Sequence, residues 1–181
     1  MSPTIGLAAG NESKRTPHPM DSKEHFLAWL RDAYAMERAL EDTLKKHAED
    51  AKEYPKIRKP IEEHRQVTEE HAEKVATLLE QLGEDRPALK TAMARFSGLV
   101  SGLPTSMVDD TLVKNALAEF TSENFEIACY TSLITAAEDL GLDEIVPILE
   151  GILSEEQDMA DQLIEAIPEI TSMYLESTQE V

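Results

Sequence analysis

Apolar residues recur every three or four positions along four stretches of the chain, and proline or glycine interrupts the pattern between them. Phe26, Leu30, Ala33/Tyr34, Leu40 and Leu44 keep this spacing, which predicts one face of a helix. Asp21 or Ser22 stands where a helix cap is needed. The helix should stop before Pro55, because the residue preceding a proline is pushed out of helical geometry. A second stripe, Ile57, Ile61, Val75, Leu78 and Leu82, starts at Pro55 or Pro60, either of which suits a first helical turn, and Gly83 closes it. The third stretch begins near Ser106, with Asp109 three residues on in a capping-box-like arrangement, and runs to Leu140 and Gly141. Its stripe is Phe120, Ile127, Tyr130 and Ile134. The fourth has Asp143 as a cap, Pro147 in its first turn and a stripe of Ile145, Leu149, Ile152, Met159, Leu163 and Ile167. Pro168 is expected to end or kink it, leaving residues 169–177 as a last short turn. Residues 84–105 read as a crossover holding a short amphipathic helix (Leu89, Met93, Phe96, Leu99/Val100). Residues 1–20 read as a tail, and 21–181 as one domain.

Composition supports an all-α reading. Only 5% of the 181 residues are aromatic, whereas sheets favour aromatic and β-branched side chains and this chain prefers Ala, Leu, Glu and Lys. Two helical hairpins joined by one long crossover form the topology of a ferritin-like antiparallel four-helix bundle. The formal net charge is -19, with 36 acidic against 17 basic residues. Such a surface repels phosphate backbones, so nucleic acid is not an expected partner. No apolar run approaches the ~20 residues that span a membrane, and the first residues lack the charged start and apolar block of a secretory signal. Cys129 is the lone cysteine; it excludes an internal disulfide framework and fits a reducing cytoplasm.

Every stripe is interrupted by a side chain able to hold a metal. The first carries Glu37, the second His64 and His71 with Thr68 between them, the third Glu123 and Glu126, and the fourth Glu156. A carboxylate on a buried stripe is costly unless something neutralises it. Glu37 lies 16 positions before a first turn near residue 53, and Thr68 and His71 lie 15 and 18 after it. Glu126 lies 16 before a second turn near residue 142, and Glu156 lies 14 after it. At ~1.5 Å per residue all sit roughly 20–27 Å from their turns, one layer of an antiparallel bundle. Glu37, Glu123, Glu126 and Glu156 sum to a charge of -4, which two divalent cations cancel. Oxygen and imidazole donors suit iron or manganese. His64 read alone is a hydrogen-bonded core histidine; seven residues, roughly 10 Å, separate it from His71, too far to share one ion easily.

The segments ENFEIACY and TEEHAEKVATLLEQLG resemble the third and second helices of rubrerythrins. A closer resemblance is to the YciE/YciF family of ferritin-like proteins, through FLAWLRDAYAMERAL, IEEHRQVTEEHAEKVATLLEQLG and SENFEIACYTSLITAAEDLG. It extends over roughly residues 22–167. It implies a four-helix bundle forming a homodimer in a bacterial stress-associated protein. By this resemblance Glu37, His71, Glu123, Glu126 and Glu156 match metal ligands, and Tyr130 matches the tyrosine that follows them. Thr68 stands where rubrerythrins offer a bridging Glu, and Met159 where they offer a His.

Two functions follow. In one, the chain is a metal-binding protein with two iron or manganese ions, or one, between its hairpins. Glu126 or Glu123 bridges, Glu37 and Glu156 flank, His71 caps, and peroxide or oxygen is the substrate. In the other, the chain is a non-enzymatic dimeric bundle with a degenerate, metal-free site, acting as a stress-induced interaction protein.

Overall fold

A computed structural model describes residues 21–86 and 111–177. Helix α1 spans Ser22–Asp50 and starts in a full capping box: Asp21 accepts from the Glu24 backbone N–H while the Glu24 carboxylate accepts from that of Asp21. This reciprocal pairing satisfies two donors that a helix start otherwise leaves bare. Helix α2 spans Pro55–Gln81. Its first residue is Pro55, so Pro60 lies inside it. Helix α3 is described over Thr111–Asp139, and α4 runs from Val146 to Ser177 with Pro147 in its first turn. Gly83 (φ +86°) and Gly141 (φ +67°) follow α2 and α3, where the left-handed backbone favours glycine. The expected tail, the short crossover helix and the start of the third helix near Ser106 lie outside the described residues.

The four helices form an antiparallel bundle. Helix α1 packs on α2 and α3 on α4; the hairpins meet mainly through α1 and α3 and more sparingly through α2 and α4. Arg31 pairs with Glu84 at one end, and Asp50 accepts from Asn115 at the other. Helix α2 therefore ends where α1 begins, and α3 starts at the opposite end. Among the described residues no helix is long and apolar enough to cross a membrane.

Two expectations are corrected. Helix α4 does not end at Pro168 but continues to Ser177, about two and a half further turns. An interior proline removes a backbone hydrogen bond and costs ~3 kcal/mol. Beyond it Ile170 and Met173 join an apolar cluster with Leu40, Leu44, Ile57 and Ile61, and this burial opposes that cost. The buried face of α3 is Ala116, Glu119, Glu123, Glu126, Tyr130, Leu133 and Ala137; Phe120, Ile127 and Ile134 only flank it.

The core has two apolar parts. One, built on Phe26, Leu30, Val75, Leu79, Leu133 and Leu149, fills the end where α1 starts. The other, built on Leu40, Leu44, Ile57, Ile61 and Ile170, fills the end where α1 stops. Between them lies a polar layer.

Candidate metal centre

The polar layer draws on all four helices at one level. Glu37, His71, Glu123, Glu126 and Glu156 are each at most 3% exposed. Ligand atoms of Glu37 (α1), His71 (α2) and Glu156 (α4) lie within 4.8 Å of one another, and so do those of Glu123 and Glu126 (α3) with Glu156. The two groups share Glu156. The pattern follows from periodicity: Glu123, Glu126 and Tyr130 keep helical spacing and share one face, and the hairpin turns bring the four helices to equal height.

His71 faces both ways. Its Nδ1 lies 2.7 Å from Glu156 Oε1 and 3.9 Å from Glu37 Oε2, but makes no hydrogen bond. Its Nε2 is 2.5 Å from Glu155 Oε2, which also accepts from Lys74 Nζ at 2.8 Å. Burial raises the Glu155 pKa, but Lys74 and His71 outweigh it and hold the carboxyl below its usual range. Glu155 faces His71 through Nε2, which leaves Nδ1 turned toward the cluster. Such an outer carboxylate is the usual way a ligating histidine is oriented.

Tyr130 is buried and its hydroxyl donates to Glu37 Oε1. Thr68 is buried too, but its hydroxyl donates to the His64 carbonyl at 3.1 Å, within its own helix. His64 Nε2 lies 3.1 Å from Glu123 Oε1 without a hydrogen bond. Its Nε2 faces the Glu123 carboxylate. Met159 is half-buried. A pair that the sequence reading missed, His47 Nδ1 and Glu119 Oε1 at 2.5 Å, is buried one turn away. Glu119 is four residues before Glu123, so helical spacing carried the signal; taking Phe120 as the inward residue hid it.

Charge is the problem this layer poses. Burial, then Glu156, pushes the Glu37 carboxyl up to about 8, although His71 and Tyr130 pull it down. Burial, then Glu156 and Glu119, pushes Glu123 up to about 11. Glu126 is raised well above the usual range by burial and by Glu37, Glu156 and Glu123. For Glu156 burial also acts upward, but His71 and the neighbouring Glu123 carboxyl outweigh it, and its pKa is lowered. Burial works against charging His71, yet Glu156 and Glu37 raise its pKa. Burial lowers that of His64. Among the buried side-chain atoms without a hydrogen-bond partner are Glu37 Oε2, His71 Nδ1, His64 Nε2 and both oxygens of Glu123 and of Glu126. Each such atom costs ~1–3 kcal/mol.

The profile of a family described as "Domain of unknown function (DUF892)" matches residues 21–176. The chain belongs to this family. A solved protein from Xanthomonas campestris pv. campestris is 31% identical, with 88% of this chain and 99% of that one covered and a TM-score of 0.73. The Escherichia coli stress protein YciF is 22% identical over 85% and 99%, with a TM-score of 0.70. YcfI of Rhodopseudomonas palustris is 23% identical over 80% and 93%, with a TM-score of 0.65. The YciE/YciF resemblance is borne out, and so is the four-helix fold.

Proposed function

We propose that this DUF892 protein binds iron or manganese, in a pair of ions or one, at the Glu37–His71–Glu156 and Glu123–Glu126–Glu156 groups. The observation that carries this reading is a set of buried polar side chains converging from four helices, with unpartnered atoms on three of them. Cations satisfy such atoms and repay the burial of acids; oxygen and imidazole donors suit iron and manganese. The donor set therefore fits a metal pair, with Glu156 common to both positions.

Glu37 and His71 would hold one ion and Glu123 and Glu126 the other. Such metals supply redox chemistry toward oxygen or peroxide. The residues' own part is to bind and orient. Tyr130 holds the Glu37 carboxylate, Glu155 holds His71 by its far nitrogen, and burial excludes bulk water. Thr68, whose hydroxyl is committed to its own helix, and Met159 offer no hard ligand, which leaves room for a small oxidant. An oxidase or peroxide-scavenging role in a bacterial stress response is consistent with this site. A cytoplasmic homodimer completes the proposal; exposed Trp29 and Phe125, which line one shallow pocket with Cys129, support an apolar contact face.

Metal analysis of protein purified without added metal tests the reading: at least one iron or manganese per chain is expected. A metal-free sample whose melting temperature ignores added Fe(II) and Mn(II) would refute it, since a ligand that binds only the folded state must stabilise it. One observation favours the non-enzymatic alternative. Glu37 and Glu123, with pKa values raised to about 8 and about 11, can stay protonated at neutral pH and keep a metal-free layer less charged.

A further inference from the structure

His64 stands at the edge of the polar layer and belongs to neither metal group. It lies on α2 seven residues before His71 and is only 3% exposed. Its Nε2 is 3.1 Å from Glu123 Oε1. That is a hydrogen bond's length, yet the two atoms are not aligned as donor and acceptor, and neither has a hydrogen-bond partner among the described residues. The pair repeats what is seen across the layer, where His71 Nδ1 lies 2.7 Å from Glu156 Oε1 and is also buried and unbonded. Two donor atoms bound at right angles to one ion, each at ~2.0–2.2 Å, stand ~3 Å apart. They nearly touch, but face a common third point rather than each other. Both histidine–glutamate pairs have that spacing. His47, the other buried histidine, is committed to Glu119 at 2.5 Å, which leaves His64 as the available imidazole.

We propose that His64 is a metal ligand, giving its Nε2 to the ion held by Glu123 and Glu126, so that each of two ions has one imidazole. Without it the second group is three carboxylates and no nitrogen, whereas the first has His71. A neutral imidazole adds a donor without adding charge. The four carboxylates still balance two divalent cations, and the bare nitrogen and the bare Glu123 oxygen are satisfied by the same ion. The inference rests on the metal reading above and deepens it, by assigning the nitrogen donor of the second position.

Calorimetric titration of the metal-free, full-length protein with Mn(II) tests this. The wild type is expected to bind two ions per chain, and His64→Ala to hold one at wild-type affinity and the other at least tenfold more weakly. A merely structural His64 would also loosen binding when removed, so a second measurement leaves it in place. In His71→Ala carrying isotopically labelled histidine, pulsed EPR of the bound Mn(II) should still show the coupling of a directly bound histidine nitrogen. His64→Ala that loads as the wild type does, or Mn(II) in His71→Ala with no histidine nitrogen on it, would each overturn the proposal. If His64→Ala does not fold, the EPR experiment decides; if His71→Ala takes up no Mn(II), the titration decides. Wild-type protein that takes up no metal sinks the metal reading itself, whereas full uptake untouched by His64→Ala sinks only the assignment of His64.

Discussion

The end of the bundle where α1 starts and the layer at its middle are equally buried and chemically opposite. At the end, Phe26, Leu30, Leu78, Leu79, Leu149 and Ile152 are excluded from water and pack together in an apolar cluster. One or two turns further along the same helices, Glu37, His71, Glu123 and Glu126 are excluded just as fully, and many of their polar atoms meet nothing that bonds them. Removing apolar surface from water stabilises the first region. In the second, the same removal from water opposes folding. Burial by itself therefore says little about what a residue contributes. The layer is tolerated because the apolar clusters on either side hold the helices in place.

Substitutions of opposite sign would sharpen this contrast. The largest effect is expected from Glu156→Ala, which removes the carboxylate common to both groups: metal content measured by elemental analysis should fall to none, and normal content would break the shared-ligand reading. Next, Leu30→Ala should cost about 2–5 kcal/mol in denaturant unfolding and leave metal stoichiometry intact. Glu126→Met, of similar volume, should instead leave the metal-free protein as stable or more so, while metal is lost; a loss of stability matching that of Leu30→Ala would erase the distinction between the two regions. Smaller still, Glu155→Gln should weaken metal affinity about 10–100-fold through the loosened His71, with little change in the metal-free melting temperature.

The smallest expected effect is a pH slope confined to the polar layer. Folded Glu37 titrates near 8 and Glu123 near 11, against an ordinary 4.5 in the unfolded chain. Between those limits the folded state binds more protons, so stability falls as pH rises. Glu156, lowered instead, acts in the opposite sense only below about 4.5, its ordinary value. The metal-free melting temperature should thus drop by several degrees from pH 5 to pH 8. Saturating Mn(II) should reverse the slope, because the cation needs ionised ligands. A flat metal-free profile would count against protonated acids in the layer.

Local rules made the helix limits readable. The Asp21 capping box, the proline at the start of α2 and the glycines after α2 and α3 are set by neighbours a few residues away. Equal distance from two turns was enough to place Glu37, His71, Glu123, Glu126 and Glu156 on one level, because antiparallel helices rise at the same rate. Pro168 does not end α4, since its local cost is opposed by distant partners of Ile170 and Met173. Glu155 left no signal at all: it is exposed on the outer flank of α4, and only the packing of α4 on α2 sets it against His71 Nε2. Spacing along this chain decided which side chains turn inward and at what height. Which carboxylate is common to both groups and which nitrogen of His71 faces the cluster were decided by tertiary packing, since each depends on distances between helices that are far apart in sequence.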